Sequence, residues 1–171
     1  MKTCFLVMIA ILLAGCGYSQ KSPDDKGYKW SSVYRDDVKS VAVPIFSSKD
    51  FARGVEFSLT KALVSQIEAN TPYKVVPRER ADSILEGEIV EVRVNTLSED
   101  RRAAIPQEQL MDIVVNFTWK DLRTGRILVA RREWEQTATW YPTLGEGRFE
   151  GTQAAAEKLA IAIVHELQSD W

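Results

Sequence analysis

Met111, Ile113, Val115, Phe117 and Trp119 alternate with Asp112, Asn116, Thr118 and Lys120. Side chains of an extended strand point alternately to its two faces, so this run is a strand with one dry face and one wet one. Asp121 to Gly125 supplies a turn with glycine available for a left-handed position, and Ile127 to Thr137 returns as the hairpin partner. Upstream, Ile84 to Leu97 is a long strand whose apolar parity changes midway, from Leu85 and Ile89 to Val90, Val92 and Val94. A bulge near Ile89-Val90 would re-phase it; burial of both faces is the alternative.

The dry face of that sheet needs a cover, and two segments have the period to provide it. Val55, Leu59, Ala62, Leu63 and Ile67 recur at helical spacing, as do Ala156, Leu159, Ala160, Ile163 and Leu167 within Phe149 to Leu167. Polar residues from Ser47 to Asp50 suit the start of the first helix, and Asn70-Thr71-Pro72 ends it, because a residue before proline is pushed out of the helical region. Val38 to Phe46 reads as a strand whose Pro44 confines that end to an edge or terminus. Tyr73 to Val76 reads as a short second strand, followed by a charged connection from Arg78 to Asp82. The expected fold is α+β, a two-layer sandwich with two amphipathic helices on one face of a mostly antiparallel mixed sheet of four to five strands.

The N-terminus carries a separate message. Lys2, the apolar run Cys4 to Leu13 and the small residues before Cys16 have the layout of a secretory signal, too short to span a membrane as a mature segment. Leu13-Ala14-Gly15-Cys16 resembles the bacterial lipobox, which implies cleavage before Cys16 and acylation of its thiol. Residues 1–15 are then a removed signal peptide, 16–35 a lipidated N-terminus and tether, and 36–171 one α+β periplasmic domain. Cleavage leaves 156 residues, enough for one real core, and discards Cys4, so no disulfide is available. Two or three acyl chains, at about 0.8 kcal/mol per buried methylene, hold a protein on its membrane where one chain is marginal. Ser19 to Ser32 is rich in turn formers and charge; about 20 such residues would span roughly 25 Å. Tyr28 and Trp30 in it either sit at the membrane interface or pack on the domain.

The formal charge of −2 becomes −3 without Lys2, which gives no basic face for nucleic acid. Catalytic chemistry is poorly provided for. His165 is the sole histidine, and with Cys4 discarded and Cys16 acylated no free cysteine or second histidine is left to complete a zinc site. Glu86 and Glu88 share a strand face and could imitate a carboxylate pair, but nothing around them suggests a pocket. No phosphate loop, nucleophile elbow or dinucleotide fingerprint is present. The chain reads as a non-enzyme without cofactor or metal.

Two segments are better suited to binding. Ser98 to Gln109, between two strands, is long for a hairpin connection and holds Arg101 and Arg102; long loops in compact domains are uncommon without a function. Thr139 to Arg148 mixes Trp140 and Tyr141 with proline, glycines and a basic residue ahead of the last helix. Arginine forks suit phosphate and carboxylate geometry. The plainer reading is that the arginines are surface charges and that the aromatics cover a helix end.

Cys16-Gly17-Tyr18, Val41-Ala42-Val43, the helix through Ile67, Ala81-Asp82-Ser83-Ile84-Leu85-Glu86-Gly87, the strand pair through Trp119 and Tyr141-Pro142-Thr143-Leu144-Gly145-Glu146-Gly147 together make the chain similar to the lipopolysaccharide-assembly lipoproteins of the LptE-like family. It is similar in particular to divergent, non-enterobacterial members, over most of the mature chain except the tether. The resemblance implies an outer-membrane lipoprotein subunit of the lipopolysaccharide translocon. Such a subunit plugs a large β-barrel partner, helps it fold and binds lipopolysaccharide non-covalently. It also implies basic loop residues for the lipid's phosphates, which by position are Arg101, Arg102 and Arg148. Gly17, where enterobacterial sorting uses aspartate to retain lipoproteins at the inner membrane, favours the outer membrane. The alanine-aspartate-to-glycine stretch also occurs in other periplasmic lipoproteins, so an activator of a peptidoglycan synthase, or another envelope-assembly scaffold, stands as the alternative.

Overall fold

A computed structural model describes residues 33–49, 54–100 and 105–168, all within one compact unit, Ser32–Trp171. The elements run β1 (Ser40–Ala42), β2 (Ser47–Ser48), α1 (Val55–Asn70), β3 (Lys74–Val75), a 3-10 turn at Arg78–Arg80, β4 (Ser83–Asp100), β5 (Ile105–Asp121), β6 (Ile127–Trp140), a 3-10 turn at Pro142–Leu144 and α2 (Arg148–His165). The sheet order is β3-β1-β4-β5-β6, with β2 also on β4. β1 lies parallel to β3 and β4, while β4, β5 and β6 form an antiparallel meander. The sheet is open and mixed, and two helices cover one face of it, which is the expected α+β sandwich.

The helices form for the reason their spacing suggests. Val55, Leu59, Leu63 and Ile67 are the buried residues of α1. Ala155, Ala156, Leu159, Ala160, Ile163 and Val164 are buried on α2. They meet Leu85, Ile89, Met111, Ile113, Val115, Phe117 and Trp119 from the sheet in one core. Each fully buried large aliphatic or aromatic side chain there contributes about 1.5–3 kcal/mol relative to exposure. α1 stops at Asn70, where Thr71 turns to extended backbone ahead of Pro72.

The change of parity in β4 is a bulge: Ile89 pairs with Val115 and Glu91 with Val114, so Val90 is the extra residue. Leu85 and Ile89 before it, and Val92 after it, therefore all join the dry side.

Three expectations are corrected. Val38 to Phe46 is not one strand: β1 ends at Ala42, and the amide of Phe46 is taken by Thr60 Oγ1 of α1 (3.2 Å) after Pro44, which has no amide proton to give a ladder. Ser47 and Ser48, expected at the start of α1, pair with Glu88 and Ile89, and the N-cap is Gly54 at φ +94°; Asp50 lies outside the described residues. Asp112, expected on a wet face, is buried, with Asn95 Nδ2 (3.1 Å) and Thr137 Oγ1 (2.8 Å) donating to its carboxylate.

The stretch Ala81 to Gly87 locks the sheet. Asp82 Oδ2 accepts from the amides of Lys39 and Ser40 and from Ser40 Oγ, so it ties down the start of β1. Ser83 Oγ donates to the Ser40 carbonyl and accepts from Trp119 Nε1, both at 3.0 Å. Gly87 leaves room for Phe46, whose ring lies 2.2 Å from where a Cβ would stand.

Candidate functional site

The two helices run in the same direction. Phe57 and Phe149, from their first turns, line one cavity of about 320 Å³, whereas Asn70 and His165, from their last turns, line another of about 270 Å³ with Tyr34. This unit therefore has two poles, one at the helix N-termini and one at the helix C-termini.

The pole of helix C-termini receives the chain. Tyr34 forms a backbone bridge to Gln168, donates its hydroxyl to the Asn70 carbonyl (2.8 Å) and stacks edge-on with Tyr73 at 5.8 Å. Tyr73 OH accepts the Arg35 amide (2.9 Å) and faces Trp119 at 5.6 Å. Charges close the same end: Arg35 and Arg126 pair with Asp37, and Arg123 pairs with Asp121 and also reaches the Asp37 carbonyl. The Arg123 guanidinium beside it holds the Asp121 carboxyl down to about 2, with the amides of Arg123 and Thr124 adding to the effect. Asp37 and Asp82 are lowered too, chiefly by hydrogen bonds from Arg35 and Ser40 respectively. This end is a structural lock.

The opposite pole is apolar. Among the described residues ten large hydrophobic side chains are exposed; of these, Phe57 and Phe149 share a cavity at this end, Tyr141 and Leu144 flank the turn into α2, and Val94, Leu97 and Ile105 stand along β4 and β5. Two devices contribute. β6 stops opposite Gln109, so β4 and β5 continue alone as a two-stranded arm to the pair Asp100 and Ile105, with an irregularity that leaves Leu97 unmatched. Two strands alone are marginally stable in water. Next to the arm, the chain leaves β6 through Pro142–Leu144 and Gly145, which takes φ +85°, into α2. Glu146 Oε2 accepts the Tyr141 amide (2.7 Å) and Glu150 Oε2 the Gly147 amide (2.8 Å), while Tyr141 OH reaches Glu108 on the arm at 3.5 Å. Leu144 and Phe149 are thereby held outward, 76% and 69% exposed.

Arg148 is the first residue of α2, exposed between them, and among the described residues it makes no ion pair. Arg101 and Arg102 fall in the interval between Asp100 and Ile105, and Cys16 in the N-terminal segment; all three lie outside the described residues, as do Tyr28 and Trp30. The long loop expected from Ser98 to Gln109 is mostly strand, since ladder pairing extends the hairpin to within four residues of closure. Trp140 packs under α2, its ring 2.6 Å from where a Cβ on Gly151 would lie, whereas Tyr141, which the plainer reading also sets over the helix end, is exposed. Phe57 and Phe149 were missed as surface residues; the signal available was that neither sits on its helix's apolar stripe.

Glu88 pairs with Lys49 at 2.7 Å and Glu86 with Arg78 at 3.9 Å, so the two carboxylates have separate partners. His165 is exposed at the end of α2, and among the described residues no group of three metal-ligating side chains occurs.

Comparison with known proteins bears on the whole of this unit. The LptE family model, described as lipopolysaccharide-assembly, matches residues 38–170. No curated protein matches by sequence. Among solved structures the chain is similar to a single-substitution variant of PelC, a dodecamer from Paraburkholderia phytofirmans. The TM-score is 0.52 at 18% identity over 80% of this chain and 93% of that one. It is also similar to a hypothetical protein of Chlamydia trachomatis, with a TM-score of 0.51 at 9% identity over 75% and 96%. At those identities the likeness is one of fold.

Proposed function

Because the chain belongs to the LptE lipopolysaccharide-assembly family, whose members are non-enzymatic envelope lipoproteins without a cofactor, we propose that it is the lipoprotein subunit of a lipopolysaccharide translocon. In this reading residues 1–15 are removed and acylated Cys16 anchors the chain in the outer membrane. The domain from residue 36 onward plugs a large β-barrel partner and assists its assembly. It holds lipopolysaccharide non-covalently on its way to the outer leaflet, with Arg101, Arg102 and Arg148 engaging the phosphates.

The observation that supports a lipid-handling role is Arg148 exposed between Leu144 and Phe149, at the pole opposite the chain's entry. A cation set among outward apolar side chains matches the two halves of an anionic amphiphile. Each charge-assisted hydrogen bond to a phosphate would contribute about 1.5–3 kcal/mol, and the interaction would weaken with salt.

Affinity purification of the full chain in detergent tests the reading. Recovery of a large outer-membrane barrel is the expected result. Recovery of an inner-membrane glycan synthase would favour the activator alternative, and recovery of neither would count against both. Mass spectrometry of the N-terminal peptide should find a diacylated Cys16. Changing Arg101, Arg102 and Arg148 together to alanine should reduce lipopolysaccharide binding with the thermal melt unchanged; unaltered binding removes those three residues from the site.

A further inference from the structure

β6 ends the sheet, and among the described residues it pairs with β5 alone. A terminal strand of 14 residues presents a row of amides and carbonyls on which another strand could build. This edge is interrupted in a specific way. Arg132 and Glu133 together oppose Asn116, and Glu133 takes φ +52°, uncommon for a residue with a side chain. Asn116 Oδ1 secures the bulge by accepting the Glu133 amide at 2.9 Å. This bulge cuts the edge into two runs, the first of which carries a further irregularity that leaves Leu128 unmatched between Ile127 and Val129.

Each run has an outward carbonyl already occupied by a cation. Arg131 Nη1 donates to the Ala130 carbonyl (3.1 Å), and Lys158 Nζ, from α2, donates to the Thr137 carbonyl (3.3 Å). Arg131 is also ion-paired with Glu166 just beyond α2. These contacts lie on the exposed rim, where such pairs add little stability, so their placement on the edge calls for another account. The run Glu135 to Trp140 is also self-complementary. Paired antiparallel with its own copy about Thr137, it would set Thr137 against Thr137 and Glu135 against Thr139, with no like charges opposed.

We infer that Lys158 and Arg131 form a guard that keeps the β6 edge closed, and that the occupant they exclude is the β6 edge of a second copy of this chain. The inference is independent of the translocon reading, since it concerns only the rim of the sheet.

Analytical ultracentrifugation of the full chain in detergent tests it. The unaltered protein should sediment as one copy, and Lys158→Ala with Arg131→Ala should at least double the mass in a concentration-dependent way. Lys158→Arg, which keeps a donor, should behave as the unaltered protein. Thr139 shares the outward direction of Thr137, so adding Thr139→Pro removes an outward amide without touching the ladder to β5; it should return the double variant to one copy. A double variant that stays single, an unaltered chain that is already oligomeric, or association that Thr139→Pro fails to reverse would each overturn the inference. The last result would mean that the copies associate through unfolding.

Discussion

Arg93 and Glu135 close a 2.9 Å ion pair over the width of β5, although they belong to β4 and β6 and share no ladder. Arg93 lies opposite Asp112, and Glu135 opposite Val114. The pair therefore runs diagonally above both residues, on the face of the sheet away from the helices, and both are nearly buried, at 6% and 8% exposure. A surface strap, together with Asn95 and Thr137, shelters them where no helix does.

Because both ends of the strap are about half exposed, its own energy is small. A double-mutant cycle on Arg93→Ala and Glu135→Ala should return a coupling of about 0.2–1 kcal/mol that shrinks in high salt. Asp112→Ala should cost more, about 1.5–3 kcal/mol, because hydrogen bonds to a charged acceptor are lost. Urea titration of the three variants gives the order, and a strap worth more than the carboxylate beneath it would contradict this account.

Ser83 joins three strands through one hydroxyl. It donates to Ser40 of β1 and accepts from Trp119 of β5, whose side chain is fully buried. Ser83→Ala leaves the indole N–H without its partner in a dry place, which costs about 1–3 kcal/mol. Ser83→Thr, which keeps the hydroxyl, should recover part of that loss. Equal destabilisation by both would assign the effect to packing.

How much of this was legible beforehand depended on whether the signal was local. The alternation through Trp119 and the stripe through Leu63 each need cover on one side only, and their periods are readable from a dozen residues. The re-phasing of β4 was legible as well, because a bulge changes the parity of the apolar residues that follow it. Non-local partnerships were not. Asp112 reads as a wet-face residue until Asn95 and Thr137 arrive from neighbouring strands. The segment from Ser98 to Gln109 looks like a loop because its pairing is sustained by strand register and not by buried apolar residues. The arginines proposed for ligand binding came from residue type and resemblance. Phe149, beside Arg148, reads from the sequence only as the start of a helix.

Two glycines mark places where the layers touch. A Cβ on Gly87 would fall 2.2 Å from the Phe46 ring and 2.8 Å from the Asn116 carbonyl, and the latter is backbone that cannot swing aside. A Cβ on Gly151 would meet the Trp140 indole at 2.6 Å. Gly87→Ala and Gly151→Ala should each destabilise by about 1–3 kcal/mol through overpacking. Gly147→Ala, where the nearest atom is the movable Glu150 carboxylate at 3.2 Å, should cost least. Thermal melts of the three variants check the ranking.

The charged lock at the chain-entry pole sets a specific response to acid. Asp121 titrates at about 2 in the folded protein, because Arg123 and two backbone amides hydrogen-bond its ionised form, against about 3.9 for an unfolded aspartate. A depressed carboxyl favours the folded state while it is ionised. Its contribution is complete above about pH 4, declines as the pH falls from about 4 to about 2, and is absent below that. Asp37 and Asp82 are shifted in the same direction and reinforce the trend. Asp121→Asn should therefore unfold at lower urea than the unaltered chain at pH 7, and the gap should close between pH 4 and pH 2. Because the Arg123 side chain is half exposed, added salt should narrow the gap at pH 7. A gap of constant size down to pH 2 would show that Asp121 acts through its shape and not its charge.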